Sequence, residues 1–165
     1  MPKSIYYYNS PISRLGIADD GEAITNIFLP YANAPEDFVV KETPLIKEAV
    51  KQLSEYFSGK RKVFDLPVKY DGTTFIKKVY SALQAIPYGE TRTYKQIAES
   101  TGIKRAYRAV GMVNHRNPIP IIIPCHRVIG SNGQMTGYAG GIDVKVRLIE
   151  LERKNSALGS PERTC

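Results

Sequence analysis

Cysteine is scarce in this chain of 165 residues: Cys125 and Cys165 are the only two. One pair cannot build a disulfide framework or a cysteine-rich zinc site. Long apolar runs are missing as well. None approaches the ~20 residues that a membrane-spanning helix needs, and Met1-Pro2-Lys3 leads into polar sequence rather than an export signal. A soluble, intracellular protein with no membrane partner is the expectation. No internal repeat or low-complexity stretch is present. Hydrophobic residues at 42% and charged residues at 24% lie near the globular average, which argues against a disordered or fibrous chain. The length allows one ordinary domain or two small ones.

What is present is an uneven charge. Residues 1–70 hold nine basic and nine acidic side chains, whereas residues 71–165 carry the whole net charge of +7. A polyanion-binding module attached to a neutral one has this distribution, and so does a chain with a merely solubilising surface. The boundary is set at Asp71-Gly72, giving domains 1–70 and 71–165.

The first part reads as a mixed α and β unit. Segment 5–29 has strand character, broken by the turn signal Asp19-Asp20-Gly21-Glu22. Residues 30–42 form a loop punctuated by Pro30 and Pro35. A helix follows with Thr43 as N-cap, Pro44 at its first position and Gly59 just past its end. Leu45, Ile46, Ala49, Val50, Leu53, Tyr56 and Phe57 keep its 3.6-residue period. Residues 62–70, with Pro67, fit an edge strand or linker.

After residue 71 the character turns helical. Phe75, Ile76, Val79, Tyr80, Leu83 and Ile86 make an apolar stripe closed by Pro87-Tyr88-Gly89. A short helix opens with the capping box Thr93 and Gln96 and stops at Gly102. The next covers 104–116. Two short helices joined through a glycine in a basic segment suggest a helix-turn-helix. At 100° per residue, Ala106, Ala109, Val110 and Val113 share a side expected to face the core. Lys104, Tyr107, Arg108, Gly111 and His115 fall opposite. Glycine inside a helix costs about 1 kcal/mol relative to alanine, so Gly111 points to close approach from outside.

The run from Asn117 to Gly130 delivers Cys125 and His126 side by side, after Pro118, Pro120 and Pro124. A cysteine nucleophile reacts as thiolate and needs a base or a positive field to lower a free pKa of about 8.5. Neighbours in an extended strand point to opposite faces, so His126 reaches the Cys125 sulfur only through a water or a turn at Cys125.

Pro124-Cys125-His126-Arg127-Val128, preceded by Asn117-Pro118 and Pro120, resembles the active-site signature of the O6-alkylguanine-DNA alkyltransferases. Tyr94, Arg108-Ala109-Val110-Gly111, Tyr138-Ala139-Gly140-Gly141 and Glu152 all fall where that family has functional residues. The resemblance is dense over about 73–153 and weaker over 1–70. It implies an α+β fold of two small domains: an N-terminal α/β ribonuclease H-like domain with a short antiparallel sheet, and a C-terminal helical, winged helix-turn-helix-like DNA-binding domain. It implies direct reversal of DNA damage, an irreversible, single-turnover transfer of an alkyl group to Cys125. O6-alkylguanine in double-stranded DNA is the implied lesion, with O4-alkylthymine as a second candidate. The alternative within the same group is a lesion-binding protein without chemistry, against which the presence of Cys125 counts directly.

The roles carry over residue by residue. His126 is implied as the base acting on Cys125 through water, with Glu152 orienting it as in a Ser-His-Asp relay. Tyr94 crowds the 3′ phosphate and donates its hydroxyl as guanine leaves. Arg108 fills the gap left by the flipped base, since O6 inside the stack is out of reach of a buried sulfur. Ala106, Tyr107, Ala109 and Gly111 lie against the minor groove. Asn114, Pro120, the Val128 carbonyl, Tyr138, Ala139 and Gly140 line the base pocket, and Asn117 is the hinge. Tyr107 stands where the family often has a small residue, and Ala139 where some members have serine. Residues 1–70 hold no Cys and no His, so neither a zinc ion nor any cofactor is expected. A monomer in the cytoplasm (the nucleus, in a eukaryote) is implied, with cooperative assembly along DNA left open.

Overall fold

The computed structural model describes residues 2–30, 34–103, 105–135, 138 and 140–158. Its contacts divide the chain into two compact units, residues 1–71 with 118–120, and residues 72–117 with 121–165.

In the first unit, β1 (Ser4–Asn9), β2 (Arg14–Asp19) and β3 (Ile24–Phe28) form an antiparallel meander, and β4 (Val39–Val40) adds to β1 in parallel. The region around β4 was expected to be loop; two residues pairing at an edge leave no periodicity to read. Helix α1 (Pro44–Phe57) starts where its sequence dictates, with the Thr43 side chain accepting from the Ile46 amide and Gly59 at a φ of 80° past its end. It buries Ile46, Ala49, Leu53 and Tyr56, while Ile5, Leu15, Ile17 and Ile24 of the sheet complete the core. Residues 62–70 stay extended and make one bridge, Val68 to Ile24. They are pinned by buried Gln52, whose side-chain amide donates to Asp65 O and accepts from Asp65 N.

The second unit is helical. Helix α2 (Thr74–Gln84) is capped by Thr73, and α3 (Tyr94–Ser100) by the Thr93–Gln96 box. Helix α4 runs Tyr107–His115, and α5 Ile142–Leu158. Strands β5 (Arg92–Thr93) and β6 (Val128–Ile129) pair in parallel.

Two expectations for α4 need correcting. It begins at Tyr107 rather than 104: the first helical bond runs from the Val110 amide to Ala106 O, and Ala106 at the cap has no side chain to accept an amide proton. Its buried line is Val110 and Asn114, whereas Ala109 lies exposed beside Arg108. The buried line runs through Asn114, one turn on from Val110, which the fold buries for its amide.

Candidate active site

A single 3-10 turn, Cys125–Arg127, follows the apolar segment, with the Arg127 amide donating to Pro124 O. The chain is therefore not extended at Cys125, which meets the geometric objection raised by adjacent residues on a strand. The turn is held from α4: the Asn114 side chain donates to the Cys125 carbonyl at 3.2 Å, and that of Asn117 to Ile123 O at 2.7 Å. Between them Ile121 sits buried at a left-handed φ of 74°. That conformation costs a β-branched residue on the order of 1–3 kcal/mol, so the surrounding contacts over-determine it.

Helix α5 supplies the other half of the site. Lys145, Leu148, Ile149 and Glu152 repeat at helical spacing and are all buried, which brings a lysine and a carboxylate to one face. His126 is fully buried, and its Nε2 lies 2.5 Å from Glu152 Oε2. Arg127 completes a two-pronged contact, Nε to Oε1 at 2.8 Å and Nη2 to Oε2 at 3.2 Å, while its Nη1 donates to Ile86 O. The Gly89 amide donates to Oε1 as well. Gly89 has a φ of 81°, and a Cβ there would lie 2.1 Å from Ser156 Oγ, so only glycine brings this amide to the carboxylate.

The electrostatics follow. Burial alone would raise the Glu152 carboxyl, but the hydrogen bond from His126, then the hydrogen bonds and charge of Arg127, outweigh it and hold the group at about 2. An ionised carboxylate only accepts, so the Nε2 hydrogen belongs to His126. Burial also lowers the imidazole below its ordinary value and keeps it neutral. Its Nδ1 is left as an acceptor, buried and without a hydrogen-bond partner among the described residues. Burial pushes the Cys125 thiol up to about 11, a shift opposed by the Asn117 side chain and the Lys145 charge. The resting group is a protonated thiol 4% exposed.

Of the residues expected at the site, Cys125, His126, Glu152, Asn114, Asn117, Val128 and Tyr138 come together in the second unit. Tyr138 is buried with its hydroxyl unpartnered among the described residues, and burial raises it well above its ordinary value. Gly140, two residues on, is buried as well. Ala139 lies outside the described residues. Pro120 belongs to the first unit, whose Ile27 amide donates to Pro118 O. The Val128 carbonyl already accepts from Lys145 Nζ at 2.5 Å.

Lys145 itself is a residue that the sequence did not reveal. It is fully buried, 5.9 Å from the centre of the half-buried Tyr94 ring, and burial brings it down to about 8. Outside this cluster, Arg108, Tyr107, Ala109 and His115 are exposed along α4, with Ala106 and Gly111 half-buried. No group of three His, Cys, Asp or Glu among the described residues could hold a metal ion, and none of their helices is long and apolar enough to cross a membrane.

The pattern is shared with known proteins. Residues 5–70 match the family described as 6-O-methylguanine DNA methyltransferase, ribonuclease-like domain, and residues 74–154 match 6-O-methylguanine DNA methyltransferase, DNA binding domain. A methylated-DNA–protein-cysteine methyltransferase of Methanosarcina barkeri is 58% identical, with 90% of this chain and 98% of the relative aligned. The constitutive enzyme of that name from Bacillus subtilis is 46% identical over 89% and 95%. The crystal structure of Mycobacterium tuberculosis OGT in complex with DNA superposes with a TM-score of 0.87 at 42% identity, covering 92% of this chain and 94% of that one. With its two halves matched separately and a relative at this identity spanned almost end to end, the chain belongs to the 6-O-methylguanine DNA methyltransferase family.

Proposed function

We propose that this protein repairs alkylated guanine in duplex DNA by moving the alkyl group from guanine O6 to the Cys125 sulfur. The observation that carries this reading is the buried His126–Glu152 pair one residue from a buried thiol. A thiol pushed up to about 11 is a poor nucleophile at neutral pH and needs a base at the moment of attack. His126 answers that need: Glu152 takes its Nε2–H, and Nδ1 keeps a lone pair.

The thiol proton passes to Nδ1 through a bridging water. Sulfur attacks the alkyl carbon, the C–S bond forms as the C–O6 bond breaks, and guanine departs with the electron pair, taking a proton from the Tyr94 hydroxyl. The imidazolium, stabilised by Glu152, gives up its proton to solvent, and the Tyr94 phenolate takes one back from it, so that the thiol proton ends in effect on guanine. A thioether has no easy leaving group, so each molecule acts once.

The base must leave the stack to meet a buried sulfur. Arg108, exposed on α4, is the side chain we assign to the gap, and the half-buried Gly111 lets the helix backbone approach the minor groove. The known DNA complex of a 42% identical structure supports DNA as the partner. We read residues 1–70 as a supporting domain and 71–165 as the reacting one. A lesion-binding protein without chemistry has no use for a thiol held in this way. Replacing Cys125 with Ser tests the reading: binding to the lesion duplex is retained and transfer is lost. Transfer that survives the change sinks it.

A further inference from the structure

Nine large hydrophobic side chains are exposed among the described residues, and three of them, Ile103, Tyr107 and Met112, lie within ten positions of one another in the helix-turn-helix. Tyr107 is 46% and Met112 57% exposed. At 100° per residue Met112, one turn on, lies 40° to one side of Arg108, and Tyr107 lies 100° to the other. Tyr107 also borders a cleft of about 500 Å³ with Tyr94, Lys95, Ser131, Asn132 and Gln134. The surroundings are cationic: Arg105, Arg108 and Arg116 are exposed, and the chain carries no Asp or Glu from Ser100 to Ile142.

Exposed apolar groups do nothing for the core of this unit. Beside a guanidinium on a carboxylate-free surface they match a partner that is anionic outside and apolar within. Duplex DNA is such a partner, with phosphates on its rim and deoxyribose walls and base faces in its groove. Apolar side chains pressed between base steps are a recurrent device of minor-groove binding. Extrusion of one nucleotide also strips its neighbours of a stacking partner, which leaves apolar surface to be covered.

We infer that Tyr107 and Met112 form an apolar wedge flanking Arg108, seated on the sugars and base faces that adjoin the gap left by the extruded nucleotide. This rests on the reading of α4 as the DNA-contacting helix and adds the way it grips the lesion. The wedge contributes affinity without neutralising phosphate, so its share of binding does not depend on salt, unlike that of a lysine or arginine.

The test measures binding of a duplex carrying O6-methylguanine, and of the undamaged duplex, across a range of salt in the Cys125→Ser background. Tyr107→Ala weakens lesion binding roughly tenfold, the order expected for a lost aromatic–base contact, and Met112→Ala weakens it severalfold. The slope of log Kd against log salt stays the same, Tyr107→Phe retains affinity, and the undamaged duplex is affected less. Equal or tighter lesion binding by Tyr107→Ala, or a slope reduced by about one, overturns the wedge. Arg108→Ala measured alongside separates the two levels: if it too leaves duplex binding intact, α4 is not the contacting helix and the parent reading fails.

Discussion

Glu152 Oε2 lies 2.5 Å from Nε2 of the fully buried His126, and the same carboxylate accepts from both prongs of the Arg127 guanidinium. One acidic side chain therefore sets the histidine tautomer and balances a buried cation. Replacing Glu152 with Gln disturbs both. Breaking a buried ion pair by removing one partner costs about 3–5 kcal/mol, so the unfolding midpoint falls markedly. The transfer rate falls on the order of 10²-fold or more, because the ring loses its fixed orientation. Adding Arg127→Met to Glu152→Gln restores part of the stability and none of the rate. Thermal melts and single-turnover rates check the two together; recovery of rate in the double variant would show that Glu152 serves stability alone.

The pH dependence follows from the same groups. His126 is lowered, so the unfolded chain takes up its proton first and this part of the stability is lost as pH falls through about 6.5. Glu152, held at about 2 against an ordinary 4.5, contributes stability that is lost between those values as pH falls. Cys125, raised to about 11 from 9, loses its share as pH rises through that interval. The single-turnover rate should fall in acid as His126 takes a proton, and iodoacetamide should modify Cys125 slowly at pH 7. Rapid modification at pH 7 would show that the resting group is a thiolate.

Gly111 separates protein packing from DNA contact. A Cβ at this position would meet only the Tyr94 ring, at 3.8 Å, an ordinary van der Waals distance. Gly111→Ala should therefore raise stability by up to about 1 kcal/mol through helix propensity. Transfer from duplex DNA should nevertheless slow, while reaction with free O6-benzylguanine stays unchanged. Unchanged duplex transfer would mean that the helix does not sit close in the groove.

Arg108→Ala divides the two substrates in the same direction. The side chain is exposed and distant in role from the thiol, so duplex transfer should drop far more than reaction with the free base. Equal losses in both assays contradict the assignment of Arg108 to the gap.

Much of this was legible in the sequence where the signal is local. Thr43, Pro44 and Gly59 bound α1, and the Thr93–Gln96 box starts α3 as written. Cys125, His126 and Glu152 could be named through a resemblance, although 26 residues separate the last two. Other contacts had no local trace. Pro87-Tyr88-Gly89 reads as a helix stop, yet the Gly89 amide reaches a carboxylate 63 residues away. Lys145 stands in no motif, and the fold buries it against the Val128 carbonyl. Asn114 could be named only through the resemblance, as a lining of the base pocket, and its hold on the Cys125 turn has no trace in the sequence. Periodicity reports which face is apolar, and it is silent on polar groups buried for their hydrogen bonds.

The central claim is a stoichiometric transfer to one sulfur. Protein mixed with an excess of duplex carrying O6-[methyl-labelled]guanine, followed by peptide mapping, tests it most directly. One equivalent of label per chain is expected, all of it on the peptide containing Cys125, with guanine restored in the DNA and no further reaction. Continued turnover, label on another residue such as Cys165, or label left on the duplex would contradict it.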